Sequence, residues 1–231
     1  MEKSNIDEKI KLLTGSGMWH TQEVEDLPSV HLSDGPHGLR KQEEKERQNN
    51  VSLVSTCYPT ASALACSWDV TAAERLGRAV AKEAWNADVA VLLGPGINMK
   101  RSPLCGRNFE YFSEDPFLAG RLGAAYVSAA QGENVAVSLK HFAANNQETN
   151  RQTSNSQIDE HALREIYLSA FEYVVKTARP ATVMASYNRL NGYYACENRH
   201  LLTEILREEW GFDGVVISDW GACADLAKAV K

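Results

Sequence analysis

Short apolar runs recur along this chain, each followed by a polar segment and then by a stretch with helical spacing. The runs are Val30–Ser33, Asp88–Leu93, Val135–Leu139, Thr182–Ser186 and Gly214–Ser218. Most lack the polar alternation of a half-exposed sheet, which predicts parallel strands buried on both faces. Ala61–Ala65 is a weaker candidate for a further strand. Between the runs, Thr71–Trp85 repeats Leu76, Val80 and Ala84 at helical spacing, with Asp69 placed to cap it. His161–Thr177 carries Leu163, Ile166, Tyr167, Ala170, Phe171 and Val174 as one stripe. Phe117–Ala130 and Leu201–Glu209 complete the predicted helices. Strand and helix in alternation predict an α/β fold with a parallel sheet and right-handed crossovers, open or closed into a barrel. No low-complexity linker interrupts the pattern, so residues 1–231 read as one domain.

Composition narrows the function classes. The chain has 231 residues, 44% hydrophobic and 23% charged, as an ordinary globular protein does. A net charge of −6 argues against a nucleic-acid partner, and the dense charge run Lys41–Arg47 mixes both signs, as a solvated loop would. No apolar run approaches the roughly 20 residues needed to cross a bilayer. Residues 1–11 lack the apolar core of a secretory signal. Five scattered cysteines, with no CxxC pair, make a poor disulfide framework and a poor zinc site. A cytoplasmic setting without metal or cofactor is the expectation.

The segments after the strands carry the candidate chemistry. Asp34-Gly35-Pro36-His37-Gly38 follows the first run, and Gly94 to Pro116 follows the second with Asn98, Arg101, Arg107, Asn108 and Glu110. Lys140, His141, Asn145, Asn146 and Arg151 follow the third; Tyr187 and Asn188 follow the fourth; Asp219 and Trp220 follow the fifth. In a parallel barrel these carboxyl ends converge on one face, where active sites lie. Charged and amide groups there can bind hydroxyls, and an indole can pack on the apolar face of a sugar ring. Taken singly, each has a plainer reading: a strand-end Asp forms turns, a lone Arg makes surface ion pairs, and a Trp fills core. Gly94-Pro95-Gly96 lacks the following Gly-Lys-Ser/Thr of a phosphate loop, and no Gly-x-Ser-x-Gly elbow occurs.

In combination the residues are more specific. Gly106-Arg107-Asn108-Phe109-Glu110-Tyr111-Phe112-Ser113-Glu114-Asp115-Pro116 resembles the GRNFEYFSEDP signature of glycoside hydrolase family 3. Lys140-His141-Phe142 is similar to the family's KHF segment, and Ser218-Asp219-Trp220 to its SDW segment. Ser33-Asp34-Gly35-Pro36 and Met184-Ala185-Ser186-Tyr187-Asn188 extend the match in the family's order. Ala143 to Glu148 stands where the N-acetylglucosaminidase branch has a Gly-rich loop with its own His and Asp, which favours the β-glucosidase branch.

The resemblance implies a TIM-like (β/α) barrel, truncated before its last strand and helix, with the family's C-terminal α/β domain absent. It implies a retaining, exo-acting β-glucosidase acting on a β-glucoside or oligosaccharide. Asp219 matches the catalytic nucleophile. Asp34, Arg107, Lys140, His141, Arg151 and Tyr187 match positions that hold the glycone; Trp220 matches its wall, Met184 lines the pocket, and Arg101 gives outer support. Such enzymes use one ionised carboxylate as nucleophile and a second carboxyl as acid/base, typically about 5–5.5 Å away. In the family that second group usually comes from the C-terminal domain, and neither Glu110 nor Glu148 matches it. The chain alone is therefore expected to be inactive and to self-associate through the open barrel edge. A non-catalytic carbohydrate-binding fragment, half of a two-chain glycosidase, and β-xylosidase specificity stay open as alternatives. The resemblance also implies cis peptides at Lys140–His141 and Phe142–Ala143.

Overall fold

The computed structural model describes residues 6–24, 26–42 and 51–229. Five parallel strands form its main sheet: Leu32–Asp34, Val91–Leu93, Ala136–Phe142, Thr182–Ala185 and Val215–Ser218. Their spatial order is their sequence order, the mark of successive β-α units wound one way. Leu32 pairs with Val91, Val91 with Ala136, Ser138 with Thr182, and Thr182 with Val215. The sheet curves as a TIM-like barrel does, but it is not closed: the first and fifth strands are its edges. Val215 on the fifth strand is exposed.

Both sheet faces are covered, which is why the apolar runs do not alternate. Leu92, Val137, Leu139, Val183 and Ala185 point outward into the main core beneath the helices. Leu32, Val91, Leu93 and Met184 point the other way, into a smaller inner cluster with Trp19, Ile217 and Trp220. Adjacent residues 91, 92 and 93 thus serve different cores, as the two-residue period of a strand requires.

The helices fall close to their predicted places. Val70–Asn86 begins at Asp69, whose carboxylate accepts from the Thr71 N–H at 2.8 Å. Pro116–Gln131 begins at Asp115 in the same manner, through the Phe117 N–H at 2.9 Å. These two helices approach so closely at Gly77 that a Cβ there would lie 2.5 Å from the Tyr126 carbonyl oxygen. The third crossover runs as Glu160–Ala162, a π-helical Leu163–Leu168 and Ser169–Ala178. The fourth, His200–Glu209, is π-helical throughout. Simple 3.6-residue spacing does not anticipate that widening.

Three expectations need correction or limits. Ala61–Ala65 is a short helix, not a strand: Thr60 caps it by accepting from the Ala63 N–H, and small alanines let it lie against the core. The cysteines, scattered in sequence, are not all apart in space, because Cys196 and Cys223 meet beside Glu197. Of the mixed charge run, only Lys41 and Gln42 fall within the described residues; Lys41 donates to the Ala87 carbonyl at 2.6 Å. Among the described residues, no helix is long and apolar enough to cross a membrane.

Candidate active site

The carboxyl ends of the strands open into one cavity of about 530 Å3. All nine residues singled out from sequence line it: Asp34, Arg107, Lys140, His141, Arg151, Met184, Tyr187, Asp219 and Trp220. Their convergence follows from the register. Asp34 ends the first strand, Lys140 and His141 lie near the end of the third, and Tyr187 and Asp219 come just after the fourth and fifth. Arg101, expected only to give outer support, lies apart. It is exposed, its guanidinium 6.0 Å from the Tyr167 ring, and it takes no part in lining the cavity. A position two residues along from buried Met99 in an irregular segment turns it outward.

The backbone beneath Lys140 and His141 is tightly held. Both Lys140–His141 and Phe142–Ala143 are cis peptides, and the strand register shifts between Lys140 and Phe142. Gly94-Pro95-Gly96 serves as the floor: the Lys140 N–H donates to the Pro95 carbonyl at 3.0 Å, and the Ile97 N–H to the Lys140 carbonyl at 2.9 Å. Asn98 grips His141 at both ends of its amide, accepting from its N–H and donating to its carbonyl, each at 2.8 Å. Ser186 and Asn188 donate to the Ala143 carbonyl at 3.0 and 3.2 Å. With these groups satisfied by neighbours, the two side chains are free to face the cavity.

The side chains form one connected network. Lys140, 3% exposed, places Nζ 3.6 Å from Asp34 Oδ1 and 3.5 Å from Glu110 Oε2. Glu110 also takes a short charge-assisted bond from Arg107 Nε. Burial alone would push the Glu110 carboxyl up, but Lys140 and Arg107 outweigh it and hold the group below its ordinary range. Glu110 therefore stays ionised, with both oxygens engaged.

His141 must be neutral. Burial, then the charges of Arg107, Lys140 and Arg151, drive its pKa well down. Arg107 Nη2 lies 2.7 Å from His141 Nε2, and a guanidinium can only donate. Nε2 is thus the acceptor, and Nδ1 carries the proton toward the Tyr111 hydroxyl, 2.9 Å away. A histidine buried neutral contributes stability that is full above the unfolded value of about 6.5 and is lost as pH falls toward the lower folded value. Two-dimensional NMR of the labelled imidazole is expected to show an unprotonated Nε2 that does not titrate between about pH 8 and pH 5. A ring that titrates near its ordinary value would refute the arrangement.

Asp219 is set apart from this network. Its Oδ1 accepts from the Trp220 N–H at 2.8 Å, whereas Oδ2 is buried without a close hydrogen bond, 3.7 Å from His141 Nε2 and near enough to the Tyr187 hydroxyl to interact with it. Burial raises its pKa; the Trp220 N–H, Arg107, Tyr187 and Lys140 oppose the rise without cancelling it. Tyr187 responds in kind, pushed up to about 12 by burial and by the Asp219 charge. Arg151 stacks 4.3 Å from the Tyr187 ring centre and donates to Glu148 at 3.0 Å, which fixes that wall. Trp220 donates from its indole to the Met18 carbonyl at 2.8 Å and lies 5.3 Å from the Trp19 ring.

Several lining residues carry little or no mark in the sequence. Met18 and Trp19 precede the first strand, where no periodic signal marks them. His37, Arg40 and Phe109 also line the cavity. His37 belongs to the polar segment after the first strand, so that placement was the available signal. Its imidazole meets Phe109 edge-on at 5.7 Å.

Residues 34–231 match the model of the glycosyl hydrolase family 3 N-terminal domain. The chain is 53% identical over 229 residues to thermostable beta-glucosidase B of Acetivibrio thermocellus, covering 97% of this chain and 30% of that protein. It is 50% identical over 231 residues to an exo-alpha-(1->6)-L-arabinopyranosidase of Bifidobacterium longum, covering 98% and 30% respectively. The crystal structure of a beta-glucosidase from Kluyveromyces marxianus in complex with glucose superposes with a TM-score of 0.94 at 43% identity, over 100% of this chain and 27% of that one. The chain thus spans about 30% of the length of the curated relatives named here.

Proposed function

This chain belongs to glycoside hydrolase family 3 through its N-terminal domain, and from that premise we propose that it is the nucleophile-bearing part of a retaining, exo-acting β-glucosidase. The observation that carries the proposal is the Asp219 carboxylate: one oxygen is pinned by the Trp220 N–H, and the other is buried in the cavity wall without a close hydrogen bond, with the Tyr187 hydroxyl acting on it. A structural carboxylate buried to this degree would have both oxygens satisfied. A nucleophile needs one free.

In the proposed reaction the sugar ring lies on Trp220, with its hydroxyls among Asp34, Lys140, His141, Arg107 and Arg151. Asp219 Oδ2 attacks the anomeric carbon as the bond to the leaving oxygen breaks, giving a covalent glycosyl ester. Water later attacks the same carbon, releasing the sugar and restoring the carboxylate. Neutral His141, which receives a bond from Arg107 at Nε2, does not compete for a proton from Asp219.

The proton for the leaving oxygen has no source among the described carboxylates of this cavity. Glu110 is held ionised by Lys140 and Arg107. A general acid needs the opposite environment. We therefore assign the acid/base to a group outside the described residues, and read residues 1–231 as one barrel domain that completes its site with a further domain. Self-association through the unpaired edges of the first and fifth strands belongs to the same proposal. Sedimentation at micromolar concentration is expected to show species larger than a monomer, and a clean monomer would remove this part of the proposal.

The missing acid suggests a direct test. A 2-deoxy-2-fluoroglucoside with a dinitrophenolate leaving group needs no protonation to depart. Incubated with the chain, it is expected to leave a fluoroglucosyl adduct on the peptide containing Asp219, found by mass spectrometry. Label on Asp34 or Glu110 instead would sink the assignment. One second reading has specific support, because the similar Bifidobacterium longum protein is named an arabinopyranosidase. A pentopyranose lacks the exocyclic hydroxymethyl group, so fluorinated arabinopyranosyl and xylosyl donors run beside the glucosyl donor separate the specificities.

A further inference from the structure

Away from the cavity, two cysteines from different parts of the chain come together. Cys196 lies in the helical turn Ala195–Glu197 after the short strand Tyr193–Tyr194, and Cys223 lies in the loop that follows Asp219 and Trp220. Both sulfurs and one carboxylate oxygen of Glu197 lie within 4.8 Å of one another. None of the three residues lines the sugar cavity. The chain has five cysteines, and the described structure leaves all of them free thiols.

The geometry points to a binding site for a thiophilic divalent cation, Zn2+ or Cd2+, formed by Cys196 Sγ, Cys223 Sγ and the Glu197 carboxylate. Tetrahedral zinc with Zn–S near 2.3 Å and Zn–O near 2.0 Å holds its ligands roughly 3.5–3.8 Å apart. The observed cluster reaches that spacing by closing about 1.3 Å at most. Cys196 is buried, while Cys223 and Glu197 are half-buried, so water can supply the fourth ligand from the open side.

The carboxylate is already oriented. Glu197 Oε1 accepts from the Ala224 N–H at 3.2 Å and the Asp225 N–H at 2.8 Å, which fixes the plane of the group. The Cys196 thiol donates to the Ala222 carbonyl at 3.2 Å, and the Ala222 N–H donates to the Asp219 carbonyl at 2.9 Å. A bound cation would therefore tie the loop after Asp219 to the antiparallel hairpin that follows the fourth strand, Arg189–Leu190 against Tyr193–Tyr194. Each thiol gives its proton to solvent on binding, so two protons leave for each cation bound.

The reduced chain, kept in a phosphine reductant, is titrated with Cd2+ while its ultraviolet thiolate-to-metal absorbance is followed. Saturation at one equivalent with release of two protons is expected, and Zn2+ should displace the signal. Cys223→Ser should abolish it, as should Cys196→Ser, while Cys57→Ser at an exposed position should leave it unchanged. Glu197→Gln keeps an oxygen for the two backbone donors but should weaken binding by roughly tenfold or more. Should Cys196→Ser fail to fold, the half-buried Cys223 still carries the test. Absorbance that persists in Cys223→Ser, or no saturable absorbance in the reduced wild-type chain, overturns the site.

Discussion

Replacing Asp219 by Asn is expected to lower the rate of fluoroglucosyl labelling by about three orders of magnitude or more, equivalent to at least ~4 kcal/mol of barrier. The amide has nearly the shape of the carboxylate and can still accept from the Trp220 N–H, so the cavity wall stays in place. What is lost is the negative charge on the buried oxygen, and with it the proposed bond to the anomeric carbon. Stability should move differently from activity. Burial raises the Asp219 pKa, so the folded state disfavours its ionised form near neutrality. Asp219→Asn removes that charge, and its urea midpoint at pH 7 should be no lower than that of the wild type. A variant that labels at the wild-type rate would show that another group forms the ester. One that unfolds readily would mean that the Asp219 charge is structural.

The second large effect is expected at Lys140. Lys140→Met keeps most of the side-chain volume but leaves Glu110 with Arg107 as its one remaining cationic partner in the network. Removing one partner of a buried ion pair costs about 3–5 kcal/mol. The retained Arg107 bond should bring this case to the lower end, about 3 kcal/mol at pH 7. The pH dependence distinguishes this cause from simple loss of packing. Against burial, which raises it, Lys140 and Arg107 both lower the Glu110 pKa, so removing Lys140 raises that pKa. The deficit should then shrink as acid protonates Glu110, and widen again toward neutrality. A deficit independent of pH in urea titrations would place the cost in packing.

Much of this was readable before any coordinates. Apolar runs without alternation located the five strands within a few residues, because both faces of a parallel sheet are buried. Asp69 was legible as a cap because an Asp before an apolar-periodic stretch has a local cause. Eight of the nine cavity-lining residues are legible in combination, since each stands directly after a strand or in a motif with fixed neighbours; Arg151, nine residues past the end of the third strand, is carried by the resemblance alone. What escaped depends on contacts distant in sequence. Trp19 joins the wall through its packing on Trp220, and Cys196 meets Cys223 because a hairpin and a loop happen to pack together. Ala61–Ala65 escaped for another reason: a run of small apolar residues has no period, so its helix is decided by the Thr60 cap and the surface it covers. Arg101 belongs to the site segment in sequence, yet an irregular backbone offers no rule for which side each residue faces.

The paired indoles also have an optical consequence. Trp19 and Trp220 stand with ring centres 5.3 Å apart and planes inclined at 44°. Two chromophores so close and so skewed share their excitation, and should give a paired positive and negative band in circular dichroism. The partners lie near opposite ends of the chain, so the couplet can arise only after the first and fifth strands have been brought onto the same sheet. In stopped-flow refolding its appearance would time that meeting separately from helix formation. In the folded protein, a sugar laid against Trp220 would perturb the same signal, giving the cavity a spectroscopic reporter that needs no added label.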